Sequence, residues 1–151
     1  MLRARLNDAL KEAMMNRDTL KTNTVRLIVA ALKDRDIAAR GKGKTDEISE
    51  DEILSMLQSM IKQRNESIKL YQQGGRTELA EQEQAEIDVI NEFLPEPLSE
   101  DETLEAIKEA IKSVGATSLK EMGKVMAALK EQYAGRMDFG KASAVVKDQL
   151  G

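Results

Sequence analysis

Residues 49–97 read SEDEILSMLQSMIKQRNESIKLYQQGGRTELAEQEQAEIDVINEFLPEP. Ile53, Leu57, Met60, Ile61, Ile68 and Tyr71 recur at helical spacing and share one face. Ser49 followed by Glu52 fits a capping box, with Thr45 or Asp46 as alternative caps for an earlier start. Gly74-Gly75 closes this helix, because glycine tolerates the left-handed backbone of a helix end. Thr77 is placed to cap a second helix, whose stripe is Leu79, Ile87, Ile90 and Leu94 and which stops before Pro95. Two long helices joined by so short a turn form an antiparallel hairpin. Strand-like alternation appears nowhere, so the chain is expected to be all-α.

Working outward, residues 2–16 carry Leu2, Leu6, Ala9, Leu10, Ala13 and Met14 on one helical stripe. Asn16-Arg17-Asp18 breaks it. Residues 20–39 form the next helix, with Leu27 counted among its apolar positions beside Val25, Ile28, Val29 and Leu32. The glycines and lysines of Gly41-Lys42-Gly43-Lys44-Thr45 mark a loop. Past the hairpin, Pro95-Glu96-Pro97 cannot continue a helix and reads as a linker. Three short helices follow, over about 100–113, 118–132 and 139–150. Ser99 with Glu102 and Ser118 with Glu121 form capping boxes, Asp138 caps the last helix, and Gly115 and Gly135 sit at C-terminal caps. The expected organisation is an N-terminal helical domain over 1–96 and a three-helix domain over 97–151.

Composition excludes several chemistries. The 151 residues include no Cys and no His. Disulfides, thiolate nucleophiles and Ser-His or Cys-His catalysis are therefore ruled out. No metal site and no cofactor is expected. The first residues, MLRARLNDALKEAMM, interleave charge and apolar side chains, which is not a signal peptide. No apolar stretch is long enough to span a membrane, so no membrane partner is expected and the cytoplasm is the expected compartment.

Charge is uneven. Residues 1–44 carry 11 Lys and Arg against 5 Asp and Glu, residues 45–96 carry 4 against 13, and residues 97–151 carry 8 against 9. The basic first third is either a nucleic-acid face or the partner of acidic helices packed beside it.

Polar residues on apolar stripes are informative. Arg64 lies between Met60 and Ile68, and Glu83 and Glu86 lie among Leu79, Ile87 and Ile90. In the hairpin, Arg64 stands ten or eleven residues before the turn, and its mirror falls between the two glutamates. An ion-pair cluster of Arg64 with Glu83 and Glu86 is expected, at least partly buried. Fixing the hairpin register is the preferred role, and a ligand or metal site the alternative.

In the tail, Lys120 and Lys124 are four apart and flank Gly123. Gly123 could admit another helix or a phosphate backbone. Gly135-Arg136-Met137-Asp138-Phe139-Gly140-Lys141 leads into a helix N-terminus, whose free N–H groups attract anions. Lys120, Gly123, Lys124, Arg136 and Lys141 are the expected RNA-binding residues, with ordinary capping and a solvated surface as the alternative.

Lys62-Gln63-Arg64 with Ser67, Gly75-Arg76, Leu79, Glu83, Glu86 and Leu94-Pro95 resemble the pattern of the YqeY family. So do Gly115-Ala116, Met122-Gly123-Lys124-Val125-Met126 and Gly135-Arg136 with Asp138 and Gly140. The resemblance runs over nearly the whole chain. Ala127, where glycine is common, and Met137, where a small residue is common, depart from it and bear on the tail surface. The resemblance implies kinship with the tail of the tRNA-dependent amidotransferase B subunit, which helps dock tRNA. It carries the family label of a carbon–nitrogen ligase with glutamine as amido-N-donor. No amidase signature, glutaminase cysteine or phosphate loop is present, so catalysis by the isolated chain is not expected. The expected function is an accessory tRNA- or RNA-binding module, with tRNA and amidotransferase subunits as partners. The alternative is a protein-interaction adaptor without RNA contact, to which eight methionines would lend adaptable surface.

Overall fold

The structure is a computed structural model describing residues 1–43 and 47–151. Lys44, and the alternative caps Thr45 and Asp46, lie outside the described residues. Among the described residues there are seven α-helices, a short 3-10 turn and no strand. The helices are α1 Leu2–Met15, α2 Thr19–Gly41, α3 Glu50–Gln73, α4 Thr77–Asn91, α5 Glu100–Val114, α6 Met122–Tyr133 and α7 Phe139–Leu150. The chain divides into two compact units, Met1–Leu94 and Pro95–Gly151.

Local chemistry sets most helix ends. Ser49 and Ser99 each form a full capping box, with Glu52 and Glu102. Asp18 and Asp138 cap α2 and α7 through their carboxylates. Three helices end in the same double hydrogen bond, in which a residue two or three past the helix reaches back to the carbonyl five positions before it. Asp18 N bonds Ala13 O at 2.9 Å, Arg76 N bonds Tyr71 O at 2.8 Å, and Ala116 N bonds Ile111 O at 3.0 Å. The residue before each donor is left-handed: Arg17 at φ 55°, Gly75 at 70° and Gly115 at 74°. Arg17 does without glycine what the other two do with it.

Three expected ends differ. Thr77 does not cap α4. The bond from Arg76 N turns the chain one residue early, so Arg76 is the N-cap and Thr77 falls inside the first turn. Ser118 makes no side-chain cap, because the chain enters α6 through the 3-10 turn Leu119–Glu121. Helix α4 ends at Asn91, and residues 92–94 continue in three-residue bonds such as Leu94 N to Asn91 O at 3.2 Å. Pro95 disfavours helical backbone at Leu94, which explains the tightening.

In the first unit α1 packs on α2, α3 on α4, and α2 on α4. Leu2, Leu6, Val25, Ile28, Leu32, Ile53, Met56, Leu57, Val89, Ile90 and Phe93 fill the core. Met14 and Leu27, counted on apolar stripes, are exposed instead, at 51% and 48%. Their helices have a single covered face, and these residues sit beyond its edge.

In the second unit α5, α6 and α7 pack mutually around Ile107, Val125, Leu129, Ala142 and Val146. Met137 belongs to this core and is not a surface residue, so its larger side chain bears on packing. Ala127 is exposed.

Candidate functional site

The tail residues converge less than their spacing implies. Lys120 lies on the 3-10 turn and Lys124 in the first turn of α6, with Gly123 between them. All three are exposed. A Cβ on Gly123 would meet nothing within 4 Å. Helix α6 has no side-chain cap and no acidic residue in its first turn. The surface is open, and the Glu121 carboxylate at its N-cap makes no capping hydrogen bond to the helix amides.

The region before α7 differs. Asp138 Oδ1 accepts from Gly140 N at 3.0 Å and Lys141 N at 3.2 Å. The carboxylate thus fills the anion position at this helix end. Arg136 Nε donates to Glu96 O at 3.0 Å, while Arg136 O accepts from Leu98 N at 2.9 Å. Arg136 therefore holds the proline segment onto the α6–α7 loop within its own unit. Lys141 remains exposed.

In the hairpin, Arg64 Nε lies 3.0 Å from Glu86 Oε2 and 4.0 Å from Glu83 Oε2. Its Nη1 donates to Met60 O at 3.2 Å. The three side chains are mostly buried. Arg64→Ala is expected to cost about 2–3 kcal/mol, because it leaves two glutamates facing each other without a cation. Adding Glu86→Gln should recover much of that loss. Urea unfolding of the two single variants and the double variant checks this, and additive losses would rule out coupling across the hairpin.

A second polar network was not anticipated from the sequence. Arg3 Nη1 and Nη2 bond Asp36 Oδ2 and Oδ1 at 2.9 and 2.8 Å. Arg3 Nη2 also donates to Ile48 O at 3.1 Å, and Arg3 Nε lies 3.2 Å from Glu47 Oε2. Asp36 Oδ1 accepts from Ile48 N at 3.0 Å. One two-pronged pair thus ties the start of α1 to α2 and to the segment entering α3. The Arg3 hydrogen bonds hold the Asp36 carboxyl down to about 2, against the opposing effect of burial. The signal was present. Asp36 lies four residues beyond Leu32 and eight beyond Ile28 on the buried face of α2, as Arg64 does on α3. Its partner is distant in sequence and related by no hairpin symmetry. Among the described residues no group of three carboxylates is placed to hold a metal ion.

Curated relatives include "Altered inheritance of mitochondria protein 41, mitochondrial" of Candida glabrata, 37% identical over 127 residues, covering 80% of this chain and 68% of that protein. The protein of the same name in Saccharomyces cerevisiae is 29% identical over 126 residues, covering 80% of this chain and 66% of that protein. That of Lachancea thermotolerans is 32% identical over 91 residues, covering 60% and 46%. The chain thus spans about two thirds or less of these relatives. Their names place them in mitochondria, and this overturns the expectation of a cytoplasmic protein. That expectation rested on lacking a secretory leader and an apolar span, and neither absence is a positive signal for a compartment. The model of the Yqey-like protein family matches residues 3–150, and the chain therefore belongs to the YqeY-like family.

Proposed function

We propose that the chain is an accessory RNA-binding module, with tRNA as its ligand class and the entrance of α6 as its contact. The observation that carries this reading is the open backbone at Gly123 between two exposed lysines. Amines on either side of an uncovered helix end suit a phosphate backbone, which is bound by cations and free N–H groups. Lys141 extends the contact. Arg136 and the N-terminus of α7 act inside the protein, so the site is smaller than the sequence implied. The link to glutamine-dependent carbon–nitrogen ligases belongs to the same proposal: the chain presents RNA to chemistry performed by another subunit. The two compact units are proposed as two domains, the second carrying this contact.

Binding to a bulk tRNA pool across a salt series tests the proposal. Lys120→Glu/Lys124→Glu should abolish binding while the chain stays folded. Lys120→Gln/Lys124→Gln should flatten the slope of log affinity against log salt by about 1.4, at about 0.7 per phosphate contact on single strands. Gly123→Ala should weaken binding without lowering stability, because alanine is the better helix former and its methyl meets open space. Wild-type protein that ignores tRNA at low salt sinks the proposal.

A further inference from the structure

Helix α2 is buried along one side from Thr22 to Ala39, and its outward face has a pattern of its own. In heptad register, Leu20, Leu27 and Asp34 take the a positions, and Asn23, Ala30 and Ile37 the d positions. All six are exposed. The buried residues Val25, Ile28, Leu32, Asp36 and Ala39 fall on the other side of the helix. Arg26, Lys33 and Arg40 take the adjoining g positions, about 10.5 Å apart along the axis, and all are exposed.

Scattered surface aliphatics are ordinary. Here Leu20 at 42%, Leu27 at 48% and Ile37 at 62% exposed share one seam, and a row of like charge runs beside it. A solvated face has no need of that register. A nucleic-acid backbone would use the cations but not the leucines and isoleucine. The face also lacks an aromatic side chain on which a base could stack. A helix of opposite charge would use both features.

We propose that the outer face of α2 docks an acidic amphipathic helix of a partner protein. Its apolar residues would cover Leu20, Leu27 and Ile37. Its flanking carboxylates would meet Arg26, Lys33 and Arg40. A basic residue opposite Asp34 would set the register, as single polar positions do in paired helices. This proposal uses the first unit and stands apart from the RNA reading, which uses the second.

The probe is a synthetic three-heptad peptide with Leu at a and d, Glu at e and g, and one Lys opposite Asp34. Its control carries Lys at e and g. Fluorescence anisotropy with the full chain should show the acidic peptide binding about tenfold or more tighter than the basic one. Arg26→Glu/Lys33→Glu/Arg40→Glu should invert that preference, and Leu27→Ser/Ile37→Ser should remove binding of both. Circular dichroism checks that each exposed-face variant remains folded. Equal affinity for the two peptides, no binding, or binding indifferent to Leu27→Ser/Ile37→Ser overturns the proposal. So does displacement of the peptide by tRNA that depends on Arg26, Lys33 and Arg40, which would make the face an RNA surface. Self-association of the chain through this face would overturn it in favour of a second copy.

Discussion

Asp36→Ala is expected to cost the first unit about 3–5 kcal/mol, the usual result of stripping one partner from a buried ion pair. Asp36 is 8% exposed and receives both prongs of Arg3 and the amide of Ile48. Without the carboxylate, the Ile48 amide loses its acceptor and the Arg3 guanidinium keeps only Ile48 O and the exposed Glu47. Arg3→Ala should cost less, because the amide of Ile48 still serves Asp36. Arg3→Met/Asp36→Leu should recover part of the loss by replacing the pair with apolar volume. Chemical denaturation of the four proteins measures this. If Asp36→Ala unfolds within about 0.5 kcal/mol of wild type, in the range of an ordinary surface change, the network holds nothing together.

The same pair sets an acid limb. The Asp36 carboxyl titrates at about 2 when folded, below the value of about 3.9 for an unperturbed aspartate. A carboxylate held down in the native state stabilises it above the unfolded value, and the contribution fades as pH falls from about 4 through about 2. Wild type should therefore lose stability across that window, and Asp36→Ala should lose less there. Parallel acid limbs in the two proteins would contradict the assignment.

Ile107→Ala is expected to unfold much of the second unit. Ile107 is fully buried on α5 among Val125, Leu129 and Val146. Truncating such a side chain typically costs about 2–5 kcal/mol, through lost transfer energy and the cavity left behind. A core in a unit the size of Pro95–Gly151 rarely supplies more than about 3–5 kcal/mol in total. Cost and supply are thus of the same size. Amide hydrogen exchange should show α5, α6 and α7 losing protection together at neutral pH. Glu109→Ala, an exposed change on the same helix, should leave protection within about 0.5 kcal/mol of wild type. Retained protection in Ile107→Ala would mean that neighbouring methyls close the cavity.

Much of the helical layout was legible because it is written locally. Ser49, Asp18, Ser99 and Asp138 each cap within three residues, and Gly75 and Gly115 close a helix within six. Such interactions need no knowledge of the rest of the chain. Where the expectation failed, a neighbouring turn took precedence. Arg76 entered α4 ahead of Thr77, and a 3-10 turn displaced the box at Ser118. The Arg64 contacts can be anticipated for a related reason, since a short turn relates the two sides of a hairpin by simple counting.

The candidate surface was less legible, because side-chain engagement depends on what lies beside a residue in space. Arg136, Lys141 and Lys124 look alike as basic residues near a helix start. Only the folded tail directs the Arg136 guanidinium to the carbonyl of Glu96 and sets the Asp138 carboxylate over the amides of α7. Composition, periodicity and capping chemistry thus determined by themselves that the chain is helical and roughly where each helix runs, because these depend on contacts within a turn or two. Tertiary structure alone decided that Arg3 would find Asp36 across 33 residues, that Met137 would be core, and that Leu20, Leu27 and Ile37 would face outward. Each of these follows from which helix covers which face, and that packing is settled by the whole core together.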